Sequence, residues 1–276
     1  IYPASRQASS VTDILRFRLA VLGVKLRAGE KVLSAQKRGG LFFVRTEETE
    51  YSCKSLILAC GGKAALHFGT DGNGYSLVRA FGHTVTELYP SLVQLKTDIS
   101  NIRGLKGVRS VSRIWLLKGK QKICDAEGDV IFTDYGISGN AVFQVSPRAR
   151  EADRAVIDFL PEVAAEDLLC ALRNKGKSIP SLKAEDLFRC IVNSAVGKSI
   201  LRRCGVSSTI AFKDFEDKLP ELAFLTKNFD LRLTGSLGFD SAQVTQGGVL
   251  ATELNENLMS KKVDNLYIVG ELVDVD

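Results

Sequence analysis

Histidine is scarce in this chain, and cysteine is never paired at short range. Only two histidines occur among 276 residues, and none of the six cysteines (Cys53, Cys60, Cys124, Cys170, Cys190 and Cys204) forms a Cys-x-x-Cys motif. A zinc site needs closer ligand spacing, and a secreted disulfide scaffold is shorter and denser in cysteine. No metal is expected, and the cysteines are expected to be reduced, mostly buried thiols of a cytoplasmic protein. No apolar run approaches the roughly 20 residues that span a bilayer, and no signal-peptide pattern opens the chain. A membrane partner is therefore not expected. Charge of one sign is not in large excess: 37 basic against 32 acidic residues leave a formal charge of +5. Clustering, not net charge, marks a nucleic-acid surface, so no nucleic-acid partner is expected either. Internal repeats and low-complexity linkers are also missing.

What remains is an ordinary globular composition, 45% apolar and 25% charged, enough for one large or two modest domains. After an extended start, Ser9 or Ser10 can cap a helix, whose apolar face is Val11, Ile14, Leu15, Leu19 and Leu22, and Gly23 ends it. Strand signals follow at Val24 to Leu26, Lys31 to Ala35, Leu41 to Arg45 and Leu56 to Ala59. Gly29, Gly39-Gly40 and the polar stretch Thr46 to Glu50 supply the turns between them. The last run is almost wholly apolar, the pattern of a parallel strand buried on both faces, and it empties into Gly61-Gly62. In α/β folds that edge is where ligands bind. A second glycine loop, Gly69-Thr-Asp-Gly-Asn-Gly-Tyr75, precedes a helix through Leu77, Val78, Ala80 and Phe81, where backbone N–H groups can approach a polar ligand.

From Pro90 the texture changes. Alternation at Leu92 to Leu95 and strand signals at Val111 to Leu117 and Val130 to Thr133 predict an antiparallel, barrel-like insertion. Residues 161–228 read as helical, with helix-forming runs starting at Ala164 and Ala184 and acids placed early. Leu231 to Leu233 resumes a strand, and Asn265-Leu-Tyr-Ile-Val-Gly-Glu271 is a buried strand ending on glycine and an acid.

Four segments together resemble the YhiN/BaiN-like flavoproteins, the family that includes aminoacetone oxidase-like enzymes. They are Ile1-Tyr-Pro-Ala-Ser-Arg-Gln-Ala-Ser-Ser-Val11; Leu56-Ile-Leu-Ala-Cys-Gly-Gly-Lys63 with Gly69 to Tyr75; Phe132-Thr-Asp-Tyr-Gly-Ile-Ser-Gly139; and Gly238 to Val249 with Leu266 to Asp276. The resemblance implies an α/β chain: an incomplete FAD-binding Rossmann-like domain carrying an inserted β-barrel-like and helical domain. The implied division is 1–89 and 243–276 for the FAD-binding part, 90–160 for the β-rich insertion, 161–228 for its helices and 229–242 for its return strand. Relatives begin with a Gly-x-Gly-x-x-Gly turn and continue into a glycine-rich segment past Asp276. The sequence is thus expected to be a fragment, inactive and FAD-poor alone.

The resemblance also assigns site residues. Gly61 and Gly62 would lie against FAD, with Cys60 where relatives have threonine. Gly270 and Glu271 would form the second FAD motif, the carboxylate accepting from the ribityl chain, with Asp274 a neighbour. Gly247 and Gly248, after Gln246, would bring backbone to the flavin ring, or else serve only as a hinge. His67 is a candidate proton donor, with a surface role as the plainer alternative; His83 reads as a helix C-terminal cap. Tyr135 and Ser138 either face a substrate cleft or form a structural turn. The expected activity is FAD-dependent oxidoreduction of a small organic substrate, with NAD(P)H as a transient reductant or oxygen as acceptor. The alternative is a non-catalytic recognition module for a protein or RNA, carried by Arg103, Lys106, Arg109, Arg113, Lys118, Lys120 and Lys122 around Trp115.

Overall fold

The computed structural model describes residues 2–179 and 181–275. Ile1 and Asp276, the outer ends of two family-like segments, lie outside the described residues. The chain divides into two compact units, 1–56 and 57–276.

The first unit holds α1 (Ser9–Val21) and an antiparallel sheet of β1 (Val32–Arg38), β2 (Leu41–Thr46) and β3 (Glu50–Cys53). Ser9 and Ser10 lie inside α1 and do not cap it; Ala8 is the N-cap, and Ser10 Oγ is bonded to Ser5 Oγ at 2.6 Å. Gly23 ends the helix as expected, at φ +66°, with Val24 N–H reaching back to Leu19 C=O at 3.0 Å. Val24 to Leu26 forms no strand: no ladder pairs with it, and backbone groups without a ladder stay in loop. Gly39-Gly40 closes the β1–β2 hairpin with positive φ at both residues, the turn that matches strand twist. The polar stretch after Thr46 turns sooner than its composition suggests. Thr46 Oγ1 accepts from the Thr49 N–H at 3.0 Å, and β3 starts at Glu50.

β4 (Leu56–Leu58) was expected to be covered on both faces, yet Ile57 is 63% exposed. Its observed ladder is with a single late strand, through Val269 N–H to Leu58 C=O at 3.0 Å.

Within the second unit, α2 (Asn73–Ala80) follows the glycine loop. β5 (Tyr89–Ser91) leads to a closed antiparallel barrel. In chain order its strands are β6 (Leu95–Thr97), β7 (Arg109–Lys118), β8 (Gln121–Phe132) and β9 (Gly136–Ser138), then β10 (Arg154–Asp158) beyond α3 (Asn140–Val145). α4 (Ala165–Ser178), α5 (Ser194–Arg203) and α6 (Leu219–Lys227) precede the last barrel strand, β11 (Phe229–Ser236). Around the barrel the order is β10-β11-β6-β9-β8-β7. Closure removes the unpaired edges that invite aggregation. β12 (Val244–Gln246), β13 (Val249–Leu250), β14 (Leu266–Ile268) and β15 (Val273–Asp274) complete the chain; β14 is the partner of β4.

Leu92 to Leu95 is no continuous strand, because Leu92 takes φ +51° and breaks the ladder between β5 and β6. The run from Ala184 makes only a 3-10 turn, Ala184–Asp186, and Cys190 at φ +65° ends the stretch. A helix restarts where Asn193 caps α5 by accepting from Ala195 N–H at 2.9 Å. Barrel and helices share one apolar core: Ile114, Leu116, Phe132 and Ile157 pack in the same cluster as Leu172, Ile200 and Leu222. Among the described residues no helix is long and apolar enough to cross a membrane, and no group of three or more potential ligands could hold a metal. All six cysteines are free, but only Cys204 is buried, contrary to expectation; Cys60, Cys170 and Cys190 are exposed. Burial pushes the Cys204 thiol up to about 11.

Candidate cofactor site

β5 carries the chain toward the barrel and β12 brings it back, and the two pair antiparallel with Gln246 opposite Tyr89. At the base of this pair the glycine motifs converge. Thr245 Oγ1 accepts from the N–H groups of Lys63 and Ala64 at 2.7 and 3.0 Å, and Thr245 N–H donates to Glu271 Oε1 at 2.6 Å. Residues far apart in sequence thus build one knot. Gly62 sits inside it: a Cβ there would overlap Glu271 Oε1 and Thr245 Oγ1. Tyr75, buried at the start of α2, donates to the Glu271 carbonyl at 3.2 Å. Burial, and then the Glu271 charge, push its phenol up to about 12 against the hydrogen bond with Thr245. Thr70 Oγ1 donates to the Gly62 carbonyl, fixing the second glycine loop to the first.

The other glycines divide by surroundings. Gly247 and Gly248 are closed in by backbone, since a Cβ would overlap the Glu87 carbonyl at one and approach the Leu272 carbonyl to 2.5 Å at the other. Their small size serves the approach of chain to chain. Gly61 and Gly270 have positive φ, and space opens beside them: only Thr70 lies within 4 Å of a Cβ on Gly61, and nothing does on Gly270. Asp274 accepts from Thr86 Oγ1 at 2.8 Å, and the same hydroxyl accepts from Gly248 N–H at 2.9 Å. β13 runs parallel to β15 beside this link. Gly61, Gly62, Gly247, Gly248, Gly270, Glu271 and Asp274 therefore share one neighbourhood. His67 does not join the knot; it lies exposed, its ring 4.1 Å from that of Phe68, itself 83% exposed.

Thr245, Tyr75 and Thr86 were missed by sequence reasoning. Thr245 directly precedes Gln246-Gly-Gly, the one local signal; the Lys63–Thr245 bond spans 182 residues and leaves none.

His83 is no simple helix cap. It is buried, with Nδ1 2.8 Å from Glu253 Oε2 and Nε2 2.8 Å from Ser260 Oγ. Ser260 Oγ already accepts from Lys262 and Val263 N–H groups. Both its lone pairs are taken, so its proton goes to Nε2 and the ring's N–H is Nδ1, donating to Glu253. The order serine, histidine, glutamate resembles a nucleophile triad, but Ser260 is 2% exposed and its oxygen is committed. Burial opposes ionisation of Glu253, yet hydrogen bonds from Lys262, Thr84 and His83 outweigh it and hold the carboxyl down at about 2. The network anchors 251–263 to the end of α2, and so steadies Thr84 to Thr86 against Val249 and Gly248. Tyr135 and Ser138 flank Gly136, whose N–H and carbonyl bond Thr133 Oγ1 in a tight turn of the barrel.

Strand-end glycines backed by a carboxylate, with a closed barrel between outgoing and returning strands, make a mixed α/β fold of Rossmann type that carries a six-stranded antiparallel barrel. The chain belongs to the HI0933-like protein Rossmann domain family, which it matches over residues 1–276. This is the YhiN/BaiN-like family of flavin oxidoreductases to which its four segments point. It is similar to the 3-dehydro-bile acid delta(4,6)-reductase of Clostridium scindens, with 32% identity over all of this chain and 69% of that protein. It is also similar to the ribosomal RNA dihydrouridine synthases of Escherichia coli and Haemophilus influenzae. There the identities are 28% and 24%, over 97% of this chain and 66% and 67% of those proteins. The chain spans about two thirds of the length of these relatives. Two of them are named for ribosomal RNA, which corrects the expectation, drawn from the pattern of basic residues, of no nucleic-acid partner: reading a single base needs a pocket, not a large basic surface. Nothing in these similarities supports the expected inactivity of the chain by itself.

Proposed function

We propose that this chain forms part of an FAD-dependent reductase of carbon–carbon double bonds conjugated to a carbonyl. Both kinds of relative carry this chemistry in their names. A 3-dehydro-bile acid delta(4,6)-reductase acts on a double bond conjugated to a 3-oxo group, and a dihydrouridine synthase makes uridine saturated across the ring bond conjugated to its carbonyl. When bound, FAD supplies the hydride chemistry, and the protein supplies position and electrostatics. The observation that carries the cofactor reading is the open space beside Gly61 and Gly270, next to a carboxylate. Glu271 spends Oε1 on Thr245 and has Oε2 without a hydrogen-bond partner among the described residues. Gly61, Gly270 and Glu271 would hold the cofactor, the carboxylate accepting from a hydroxyl. Gly62, Thr245 and Tyr75 would hold Glu271 in place, and Asp274, tied to Thr86, would fix the backbone of Gly247 and Gly248 beside the ring. NAD(P)H would act as a transient reductant. His67, exposed and tilted against the Phe68 ring, is the weakest of the site candidates.

The recognition-module alternative loses support from its own residues. Lys106, Arg109, Arg113 and Lys122 are within ion-pair distance of Asp134, Asp129, Asp125 or Glu127, so much of the basic cluster is neutralised locally. The test is spectroscopic. Protein purified with added FAD should show flavin bands, bleach anaerobically with NAD(P)H, and recover on adding a 3-oxo-4,6-diene steroid or a uridine-containing RNA. Recovery with the steroid supports a small-molecule substrate, and recovery with RNA a base substrate. Bound flavin that recovers with neither would sink the double-bond reading.

A further inference from the structure

Where β5 meets the barrel, a cavity of about 100 Å³ is lined by Tyr89, Pro90, Leu95, Ser146, Arg150 and Ser236, among others. Whole-ligand pockets usually hold ~300 Å³ or more, so this one suits a single small group of a larger molecule. It lies beside the β5–β12 pair: Tyr89 opposes Gln246, the residue before Gly247 and Gly248.

Its free polar chemistry is one-sided. The Arg150 guanidinium lies 3.9 Å over the Tyr89 ring, and Nη1 donates to the carbonyls of Pro147 and Ala149 at 2.8 and 2.9 Å. Those two bonds and the stacking fix the plane of the fork. It also donates to the Tyr89 hydroxyl, and no carboxylate among the described residues pairs with the rest of the fork. Ser236 Oγ accepts from Gly238 N–H at 3.2 Å, so its proton remains to be donated. Ser146 is spent, accepting from Val93 N–H and donating to the Phe143 carbonyl. Tyr89 is engaged by Glu87, whose hydrogen bond raises the phenol pKa, while Arg150 acts the other way through its charge and its hydrogen bond to the phenol. Asp153 Oδ2 is used by the Arg150 backbone N–H at 2.9 Å. What is left for a ligand is donors, and a planar guanidinium held by stacking binds oxyanions through paired N–H groups.

We propose that Arg150, with Ser236, is a specificity-determining pair that binds an oxyanion of the substrate, a carboxylate or a phosphate, while the reacting double bond lies toward Gly247 and Gly248. The proposal rests on the double-bond-reductase reading only for where the rest of the substrate lies.

Calorimetric binding to the full chain tests it without turnover, at low ionic strength and with matched probes. A 3-oxo-4-ene steroid carboxylic acid is compared with its methyl ester, and 5′-UMP with uridine. The expected result is at least about tenfold tighter binding of one charged member over its neutral partner, the gain typical of a charge-assisted bond. That preference should fall to within about twofold in Arg150→Gln and partly persist in Arg150→Lys, which keeps charge without the fork. Arg148→Gln, a change at an exposed arginine outside the cavity, should keep the full preference. Preference for the acid identifies a carboxylate, and preference for UMP a phosphate. Equal binding within both pairs, no binding of any probe, or an undiminished preference in folded Arg150→Gln overturns the proposal. If Arg150→Gln does not fold, Ser236→Ala takes its place, with a smaller loss expected and an unchanged preference counting against the pair. Failure of the flavin assay with the preference intact would refute the reductase reading alone.

Discussion

Replacing Gly62 with alanine places a methyl group where Glu271 Oε1 and Thr245 Oγ1 already sit. Both must give way, and both are fixed: Thr245 by the Lys63 and Ala64 N–H groups, Glu271 by the Thr245 N–H. Forcing extra volume into a packed site costs about 1–3 kcal/mol. Losing a bond to a charged carboxylate costs about 1.5–3 kcal/mol more where no water replaces it. Some of the strain relaxes into the space near Gly270, so the expected loss is about 2–4 kcal/mol of stability. At a urea dependence of about 2 kcal/mol per molar, the unfolding midpoint falls by roughly 1–2 M. Gly61→Ala is the internal comparison. Its Cβ finds nothing closer than Thr70 Oγ1 at 3.7 Å, so only the left-handed backbone, φ +73°, is penalised, by about 1–2 kcal/mol. Gly62→Ala should therefore be the more damaging change, although Gly61 has the more unusual backbone. Urea titrations followed by circular dichroism decide it. Equal midpoints for the two variants, or a Gly62→Ala shift below about 0.3 M, would refute the packing argument.

Two further outcomes follow from other parts of the second unit. Glu253, held at about 2 when folded against an ordinary 4.5, contributes stability that is fully present above about pH 4.5 and is lost as pH falls toward 2. The midpoint gap between wild type and Glu253→Gln should be widest at pH 6 and shrink steadily on acidification; a gap independent of pH would show that the carboxylate's charge is not what matters. In α4, Gly176→Ala should gain up to about 1 kcal/mol of helix propensity, but its Cβ would overlap the Phe212 ring. The expected net effect is a loss of about 1–3 kcal/mol, and a thermal midpoint that rises instead would show that Phe212 swings aside.

Gly23, Gly39-Gly40 and the helix after Gly72 were legible in the sequence because each depends on residues a few positions apart, and glycine's freedom at positive φ acts locally. The same holds for the strand-end glycines at 61–62 and 270, where an apolar run followed by glycine marks a ladder reaching a sheet edge. Ala184 to Val192 shows the limit. Its composition favours helix, yet Cys190 adopts φ +65° because packing around Phe188 and Leu187, both buried, outweighs propensity differences of a few tenths of a kcal/mol per residue. Histidine 83 read as a cap because its neighbours on the chain say nothing of Glu253 and Ser260, 170 and 177 residues away. Local sequence determined where the chain turns, where helices stop and which residue types line the ligand edge. Tertiary structure alone decided the order in which six strands close the barrel, that Gly62 is filled by Glu271 while Gly270 is open, and that Arg150 lies over Tyr89. Each of these depends on contacts between distant segments, whose free energy comes from burial and pairing that no short window of sequence contains.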